Sequence, residues 1–365
     1  MRVCHMISGD QWAGAEVMDY RLLQGLSKHK DLQLCAILLN EGKVASEFRK
    51  LGVDVHVAHE SGQGFFRLAE TIKNLVKTLS PDILHSHRLK ENILAYFAAK
   101  SGNHIRLVCT HHGMPEPLGG KGKRLKRFIL SKYHHRILSK HFHRVVVVSE
   151  DIRHRFLREY RFPKGKVDMI HNGTYLPASC PEKKDSGDFV IGSAGRLFPV
   201  KDYPLMVRVA GEISRRTSGT RFELAGEGPE RERILGLIRE EGLEKVFALD
   251  GFLDDIARFY AGLDLYINTS LHEGLPMSVL EAMSYGLPVI APDTGGLAEI
   301  IENGRHGYLV QGRDPHAFAD LCLRLIENRS LLRELGVASR EKIQKEFSFD
   351  VMTEKYRRLY QSINS

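Results

Sequence analysis

Short apolar runs alternate along this chain with longer segments in which apolar residues recur every three or four positions. The runs predict strands near residues 2–8, 33–39, 53–57, 82–86, 105–110, 144–149 and 167–171. The longer segments predict helices between them, for example near 14–28, 66–79 and 150–158. A second alternating series opens at Phe189-Val190-Ile191-Gly192 and runs to about residue 346. Strictly alternating strands and helices predict parallel sheets covered by helices on both faces. Polar residues gather from Ser179 to Asp188, the composition of a linker. The expected division is therefore a first Rossmann-like α/β domain at 1–178, a linker at 179–188 and a second such domain at 189–349. A cleft is expected between the two domains. The last segment, 350–365, is helical by pattern and is assigned to the first domain, although its spacing alone does not decide that contact.

Composition narrows the class. At 365 residues, 42% hydrophobic and 27% charged, the chain has the balance of a soluble globular protein of two domains. No apolar run has the length of a membrane span, and the opening Met1-Arg2-Val3-Cys4-His5-Met6-Ile7-Ser8 reads as a strand and not a secretory signal. Five scattered cysteines, Cys4, Cys35, Cys109, Cys180 and Cys322, suggest neither a disulfide framework nor a zinc ribbon, so a reducing cytosol is expected. The net charge of +8 implies an anionic partner.

The most informative chemistry lies between two apolar strands, Leu263–Asn268 and Leu287–Ala291. There Glu273-Gly274-Leu275-Pro276-Met277 leads into a helix that carries Glu281. Pro276 suits the first turn, where a missing N–H costs nothing. The helix start offers unpaired N–H groups and a positive dipole end for phosphate. The two carboxylates can accept hydrogen bonds from sugar or ribose hydroxyls. The segment opens at the carboxyl end of a strand, where open α/β sheets place ligands. A second cation-bearing loop, Gly195-Arg196-Leu197-Phe198-Pro199-Val200-Lys201-Asp202, follows the first strand of the second series. Arg196 and Lys201 pair a planar fork with a point charge, a combination suited to a diphosphate. Asp202 is a plausible helix N-cap. The glycines of Gly226-Glu227-Gly228-Pro229 allow close approach by a base or phosphate, or serve a purely local turn. Thr294-Gly295-Gly296 makes either a small N–H nest or a simple helix cap.

In the first domain, Gly9 through Glu16 follows strand one and opens a helix, but it lacks the third glycine of a dinucleotide fingerprint. Histidines cluster at His85-Ser86-His87 and Thr110-His111-His112-Gly113, yet no acidic or cysteine partner has convincing spacing for zinc. The chain contains no Asp-x-Asp pair. No metal and no cofactor is therefore expected, and the two cations would do a metal's work.

Taken together, Glu273-Gly274-Leu275-Pro276 with Glu281, Gly195-Arg196 with Lys201, Gly226-Glu227-Gly228-Pro229, Asn172-Gly173 and Gly14-Ala15-Glu16 resemble the retaining glycosyltransferases of family four, with the GT-B fold. The resemblance covers nearly the whole chain and is strongest from Phe189 to Leu309. It implies metal-independent transfer of a sugar from a nucleotide-sugar, a UDP-sugar being favoured, with retention at the anomeric carbon. Arg196 and Lys201 would hold the donor diphosphate and stabilise the leaving group. Glu273 would face the donor sugar, beside the N–H groups of Gly274, Leu275, Pro276 and Met277 as far as each has one. Glu281 would hold the ribose. Gly226, Glu227, Gly228, Phe252 and Leu253 would flank the base. Gly14 would border the phosphate from the other domain, and His112, in a Thr-x-His-Gly pattern, would contact the sugar.

Lys121 to Arg144 carries nine lysines and arginines and no acidic residue, with apolar residues at helical spacing among them. One reading is a helix with a solvated cationic face, and the other is a dock for an anionic membrane surface. Relatives that build cell-envelope glycans imply the second, with a lipid-linked or lipopolysaccharide-type acceptor. The expected location is then the cytoplasm, peripheral to the inner face of the plasma membrane. The alternatives are a soluble glycosyltransferase acting on a small molecule or polymer, an epimerase or phosphorylase of similar architecture, and a nucleic-acid-binding protein. No aromatic platform or recognition motif accompanies the basic stretch, so no nucleic-acid partner is expected.

Overall fold

The computed structural model describes residues 1–10, 14–100, 104–113, 121–178 and 187–364, with the side chains of Ala15 and residues 121–128 excepted. It divides into two compact α/β units, Met1–Gly173 with Phe349–Ser365, and Thr174–Ser348. Most of the polar linker segment, residues 179–186, lies outside the described residues.

The first unit is built on seven strands: β1 (Arg2–Ile7), β2 (Gln33–Leu38), β3 (Asp54–Val57), β4 (Ile83–Ser86), β5 (Arg106–His111), β6 (Arg144–Val147) and β7 (Val167–Met169). They pair in parallel in the order β3-β2-β1-β4-β5-β6-β7. Burial on both faces explains the near-continuous apolar runs. Polar residues interrupt them, and two of these, His5 of β1 and His85 of β4, are both fully buried and stand opposite each other in the sheet register.

The helix Phe349–Asn364 completes this unit. Its Met352, Tyr356, Leu359, Tyr360 and Ile363 join one core with Val3 of β1 and with Met18, Leu22 and Leu26 of the helix Gly14–Leu26. The two tyrosines carry hydroxyls into the sheet. Tyr360 Oη lies 2.7 Å from His85 Nδ1, and Tyr356 Oη lies 2.9 Å from Thr110 Oγ1. That is how buried imidazoles find partners in an otherwise apolar interior.

The second unit has six parallel strands: β8 (Phe189–Ala194), β9 (Thr220–Ala225), β10 (Phe247–Gly251), β11 (Leu265–Ile267), β12 (Val289–Pro292) and β13 (Gly307–Val310). Their order is β10-β9-β8-β11-β12-β13. Chain direction across each sheet reverses beside its first strand, between β1 and β4 and between β8 and β11. Such switch points leave a crevice at the carboxyl ends of the strands. No helix among the described residues is long and apolar enough to cross a membrane.

The basic segment forms the helix Lys121–His141. Its described apolar side chains do not make one stripe. Ile137 and Leu138 are buried, whereas Ile129, Leu130 and Tyr133 are exposed. Over the described side chains, from Ile129 on, the apolar residues thus divide between a packed pair, Ile137 and Leu138, and an exposed group, Ile129, Leu130 and Tyr133.

Candidate functional site

In the second unit, the loop after β8 and the loop after β11 are joined backbone to backbone. Leu271 N–H donates to Val200 O at 2.8 Å, and Thr269 Oγ1 donates to Lys201 O at 2.9 Å. Arg313 clamps both loops: its Nε donates to Asp202 Oδ2 at 3.0 Å and its Nη1 to Ser270 O at 3.2 Å. Asp202 stands at the N-cap position of the helix Tyr203–Arg216, in the left-handed region, but its side chain makes no capping bond. The clamp, not the cap, is its role, because the Arg313 fork reaches the carboxylate first.

This joint brings two of the anticipated groups together. Lys201 Nζ lies 2.5 Å from Glu273 Oε1, and Ser270 Oγ donates to the same oxygen at 2.6 Å. The two side chains are only 20% and 13% exposed, so the pair is sheltered yet open to solvent. Arg196 lies on the same loop, exposed, with its guanidinium carbon 4.8 Å from the centre of the Phe198 ring.

Glu281 sits one turn into the helix Met277–Ser284 and accepts a hydrogen bond from Tyr260 Oη at 2.8 Å. Pro276 occupies the N-cap position, one residue earlier than a first-turn proline, so Met277 is the first helical residue. Beneath the site lie three buried tyrosines, Tyr203, Tyr260 and Tyr266. Burial pushes the Tyr266 phenol up to about 12 and raises the other two well beyond the ordinary range, with Glu273 adding to the rise at Tyr203 and Glu281 at Tyr260. They stay protonated, and Tyr260 donates to the Glu281 carboxylate and Tyr266 to the backbone carbonyl of Ala194.

Two glycine turns take on a different meaning in the fold. Gly226 has φ of +148°, and a Cβ there would fall inside the van der Waals envelope of Gly195 O. Leu197 N–H also donates to Glu227 O at 2.8 Å. The close approach that these glycines permit is therefore that of the Gly195–Leu197 backbone, which they hold in place. Glu227 and Phe252 are exposed beside this turn, and Leu253 is half-buried. Gly295 has φ of +56° and lies against Glu273 O, to which Gly296 N–H donates at 3.3 Å. Gly296 is at the N-cap of the four-residue helix Leu297–Ile300. The turn after β12 thus fixes the backbone of Glu273. Gly274, Leu275 and Pro276 are buried, and Met277 is half-buried.

In the first unit, Gly14 opens the helix Gly14–Leu26, and residues 11–13 before it lie outside the described residues. Arg88 pairs with the buried Glu16 of that helix. His111 and His112 diverge: His111 meets the edge of Phe156, whereas the His112 Nε2 lies 3.3 Å from His87 Nδ1. Asp19, buried in the same helix, comes within 2.8 Å of His87 and 3.9 Å of His112. Burial holds the imidazoles of His87 and His112 down to about 3 and raises the Asp19 carboxyl to about 7, tempered by His112 and Arg88.

The same desolvation lowers His5, His85, His111, His134 and His135. An unfolded imidazole binds a proton below about pH 6.5, so the unfolded first unit binds more protons than the folded one as pH falls from there towards 3. The carboxyls of Asp19, Glu16, Glu91 and Asp168, raised by burial, work in the opposite direction, but they are fewer than the lowered imidazoles, to which His141 and His143 also belong. Acidification from pH 7 to 5 is thus expected to lower the melting temperature of the chain by roughly 5 °C or more. A melting temperature that stays level over this range, followed by circular dichroism, would contradict the burial of these histidines.

Arg313 and Tyr260 carry no local sequence signal: each joins the site of the second unit from an element remote in the chain, as Asp19 joins the histidines of the first unit, whereas Ser270 lies only three residues before Glu273.

Two family models match the chain: glycosyltransferase family 4 over residues 12–176 and glycosyl transferases group 1 over residues 179–342. A poly(ribitol-phosphate) alpha-N-acetylglucosaminyltransferase of Staphylococcus aureus is 29% identical over 223 residues, 60% of this chain. The chain spans less than half of that relative's length, 44%. A UDP-Gal:alpha-D-GlcNAc-diphosphoundecaprenol alpha-1,3-galactosyltransferase of Escherichia coli is 25% identical over 80% of this chain and 78% of its own. Among solved structures, Anabaena HepE in complex with UDP superposes with a TM-score of 0.84 at 18% identity, covering 99% of this chain and 100% of that one. The same protein has been solved with UDP-glucose.

Proposed function

Since this chain is a GT-B glycosyltransferase of the family 4 type, we propose that it moves a sugar from a nucleotide-sugar to a hydroxyl of a cell-envelope glycan or lipid-linked acceptor, such as lipopolysaccharide. The proposed transfer retains anomeric configuration and needs no metal, and a UDP-sugar is the favoured donor. The observation that carries this reading is the sheltered Lys201–Glu273 pair at the switch point of the second sheet, 2.5 Å apart. It sets an ammonium for a diphosphate beside a carboxylate for sugar hydroxyls. The names of the relatives support the acceptor class: one acts on poly(ribitol-phosphate) and another on a diphosphoundecaprenol-linked sugar. A protein of the same fold binds UDP-glucose, which supports the donor class.

In this mechanism Lys201 and Arg196 stabilise the negative charge that develops on the departing diphosphate, the role a metal fills elsewhere. The leaving phosphate oxygen takes the acceptor's proton on the same face as the new bond, so no side chain forms a covalent intermediate. Glu273, fixed by Ser270 and by the Gly295 turn, orients the donor sugar. His112 is neutral near pH 7, with burial holding it down to about 3, and contacts the sugar as a hydrogen-bonding group and not as a cation.

Glu281 carries the ribose in this reading, oriented by Tyr260. Glu281→Gln is therefore expected to raise the donor KM about tenfold with little change in kcat, the cost of one charge-assisted hydrogen bond made equally in ground and transition states. A fall in kcat at constant KM would move Glu281 to the reacting end instead. Thermal denaturation against a panel of sugar nucleotides tests the donor class. A true donor at a hundred times its Kd stabilises the folded chain by about 2.7 kcal/mol, and failure of every nucleotide-sugar to raise the melting temperature would overturn the proposal.

The acceptor side rests on the helix Lys121–His141. Exposed Ile129, Leu130 and Tyr133 among lysines and arginines suit an anionic bilayer surface better than a solvated face does. Co-sedimentation with anionic vesicles at low salt is expected, with weak binding to neutral ones. Reversal of the charge of Lys132 and Arg136 should reduce it, each basic residue being worth about 1 kcal/mol at the surface. Equal binding to both vesicle types would remove the membrane role.

A further inference from the structure

Asp19, His87 and His112 reach one point of the first unit from the helix Gly14–Leu26, the end of β4 and the end of β5. Their side chains are 1%, 2% and 15% exposed. The donor atoms Asp19 Oδ1, His87 Nδ1 and His112 Nε2 are separated by 2.8, 3.3 and 3.9 Å. Ligands about 2.0–2.1 Å from a tetrahedral zinc stand roughly 3.3 Å apart. The observed triangle brackets that value, so small side-chain adjustments suffice to seat an ion.

A second observation points the same way. Asp19 Oδ1 is a buried carboxylate oxygen that accepts no hydrogen bond among the described residues, although His87 Nδ1 is close. The geometry that lets His87 Nδ1 and His112 Nε2 share a proton leaves this oxygen over. A cation satisfies all three atoms at once. The neighbouring trio His5, His85 and His87 offers no such vacancy, since both ring nitrogens of His5 and of His85 already face partners.

The surroundings also suit ligation. His87 Nε2 lies 3.2 Å from His5 Nδ1, and His5 Nε2 lies 3.4 Å from Tyr360 Oη, which meets His85. If His87 gives its Nδ1 lone pair to an ion, its Nε2–H donates to His5, and each later member passes one hydrogen onward. A second shell that fixes the tautomer in this way is typical of metal-bound histidine. Two imidazoles and a carboxylate select zinc-class transition metals over magnesium or calcium, which prefer oxygen.

We propose that Asp19 Oδ1, His87 Nδ1 and His112 Nε2 form a zinc-class metal site in the first unit, with its fourth corner open where His112 reaches solvent. On the reading that His112 contacts the donor sugar, an occupied site is an inhibited state of the enzyme. The binding itself does not depend on that reading.

The test uses the tag-free full chain after chelator treatment. Titration with cobalt, followed by visible absorption, is expected to give the intense bands of a four-coordinate centre, displaced by one equivalent of zinc. Calorimetry with zinc should give the same stoichiometry. Asp19→Asn and His87→Gln should weaken binding at least 100-fold. His112→Gln, the least buried of the three, should do the same and covers the case in which the two buried variants fail to fold. His56→Gln, whose imidazole pairs with Asp54 at 3.0 Å on another strand, should bind as the parent does. Absence of binding by the folded parent at micromolar zinc, or unchanged affinity in folded His112→Gln, would overturn the site. Neither result would bear on sugar-nucleotide binding, which is measured separately.

Discussion

Lys201→Ala is expected to lower kcat roughly 10²–10³-fold, the cost of removing one preorganised donor from a developing oxyanion. The effect should exceed that of Arg196→Ala. Lys201 is the only cation placed against Glu273 among the ion pairs of the described residues, at 2.5 Å. Its removal takes away the positive charge and also leaves a carboxylate facing the diphosphate. Glu273→Gln in the Lys201→Ala background should therefore recover part of the loss, a coupling that independent residues would not show. Some stability should be lost as well, because the pair is sheltered, 20% and 13% exposed, and Glu273 is left without its cation. Turnover is read as nucleotide released per enzyme with the donor that stabilises the chain best. Near-normal kcat in both Lys201→Ala and Arg196→Ala would remove the electrostatic account of the reaction.

Gly295→Ala should damage both folding and catalysis. The residue adopts φ of +56°, which costs a residue with a Cβ about 1–2 kcal/mol. The added methyl would also meet the Glu273 carbonyl, an overpacking worth about 1–3 kcal/mol more. Relief requires the turn after β12 to withdraw from Glu273, and a 1 Å displacement of a positioning group is enough to cost about 10²-fold in rate. Gly304→Ala is the control, since Gly304 has φ of +74° but nothing near its missing Cβ. It should show only the backbone cost and no loss of kcat. Equal denaturation midpoints for the two variants would mean that the contact with Glu273 is not tight.

The contrast between these glycines shows what the chain makes legible. Its strands are apolar runs bounded by turns, and each occupies nearly the expected residues because burial on both faces leaves little else possible. Lys201 and Glu273 could be marked because each lies just beyond a strand end, where ligands bind. Arg313 could not, since a lone arginine after β13 carries no sign of the aspartate 111 positions away that it clamps. Asp19 was hidden for the same reason: zinc spacing is sought along the chain, whereas the helix reaches His87 across the sheet. The glycines of the Gly226 turn fit either a bound base or a local turn in sequence, because a backbone in close contact looks the same whether its neighbour is a ligand or another strand's loop, and the structure adds the packing against Gly195. The basic helix read as one amphipathic stripe because periodicity does not say where a neighbour stops covering it.

The terminal helix has a consequence for biosynthesis. Met1–Gly173 emerges from the ribosome without Tyr356 and Tyr360, so His85 and Thr110 lack the tyrosine hydroxyls that complete their bonding and the face of the helix Gly14–Leu26 stays bare. The contiguous Thr174–Ser348 can close its core as it is made. The half that starts synthesis first therefore finishes folding last, and a nascent chain stalled before residue 349 would present unfinished apolar surface to chaperones.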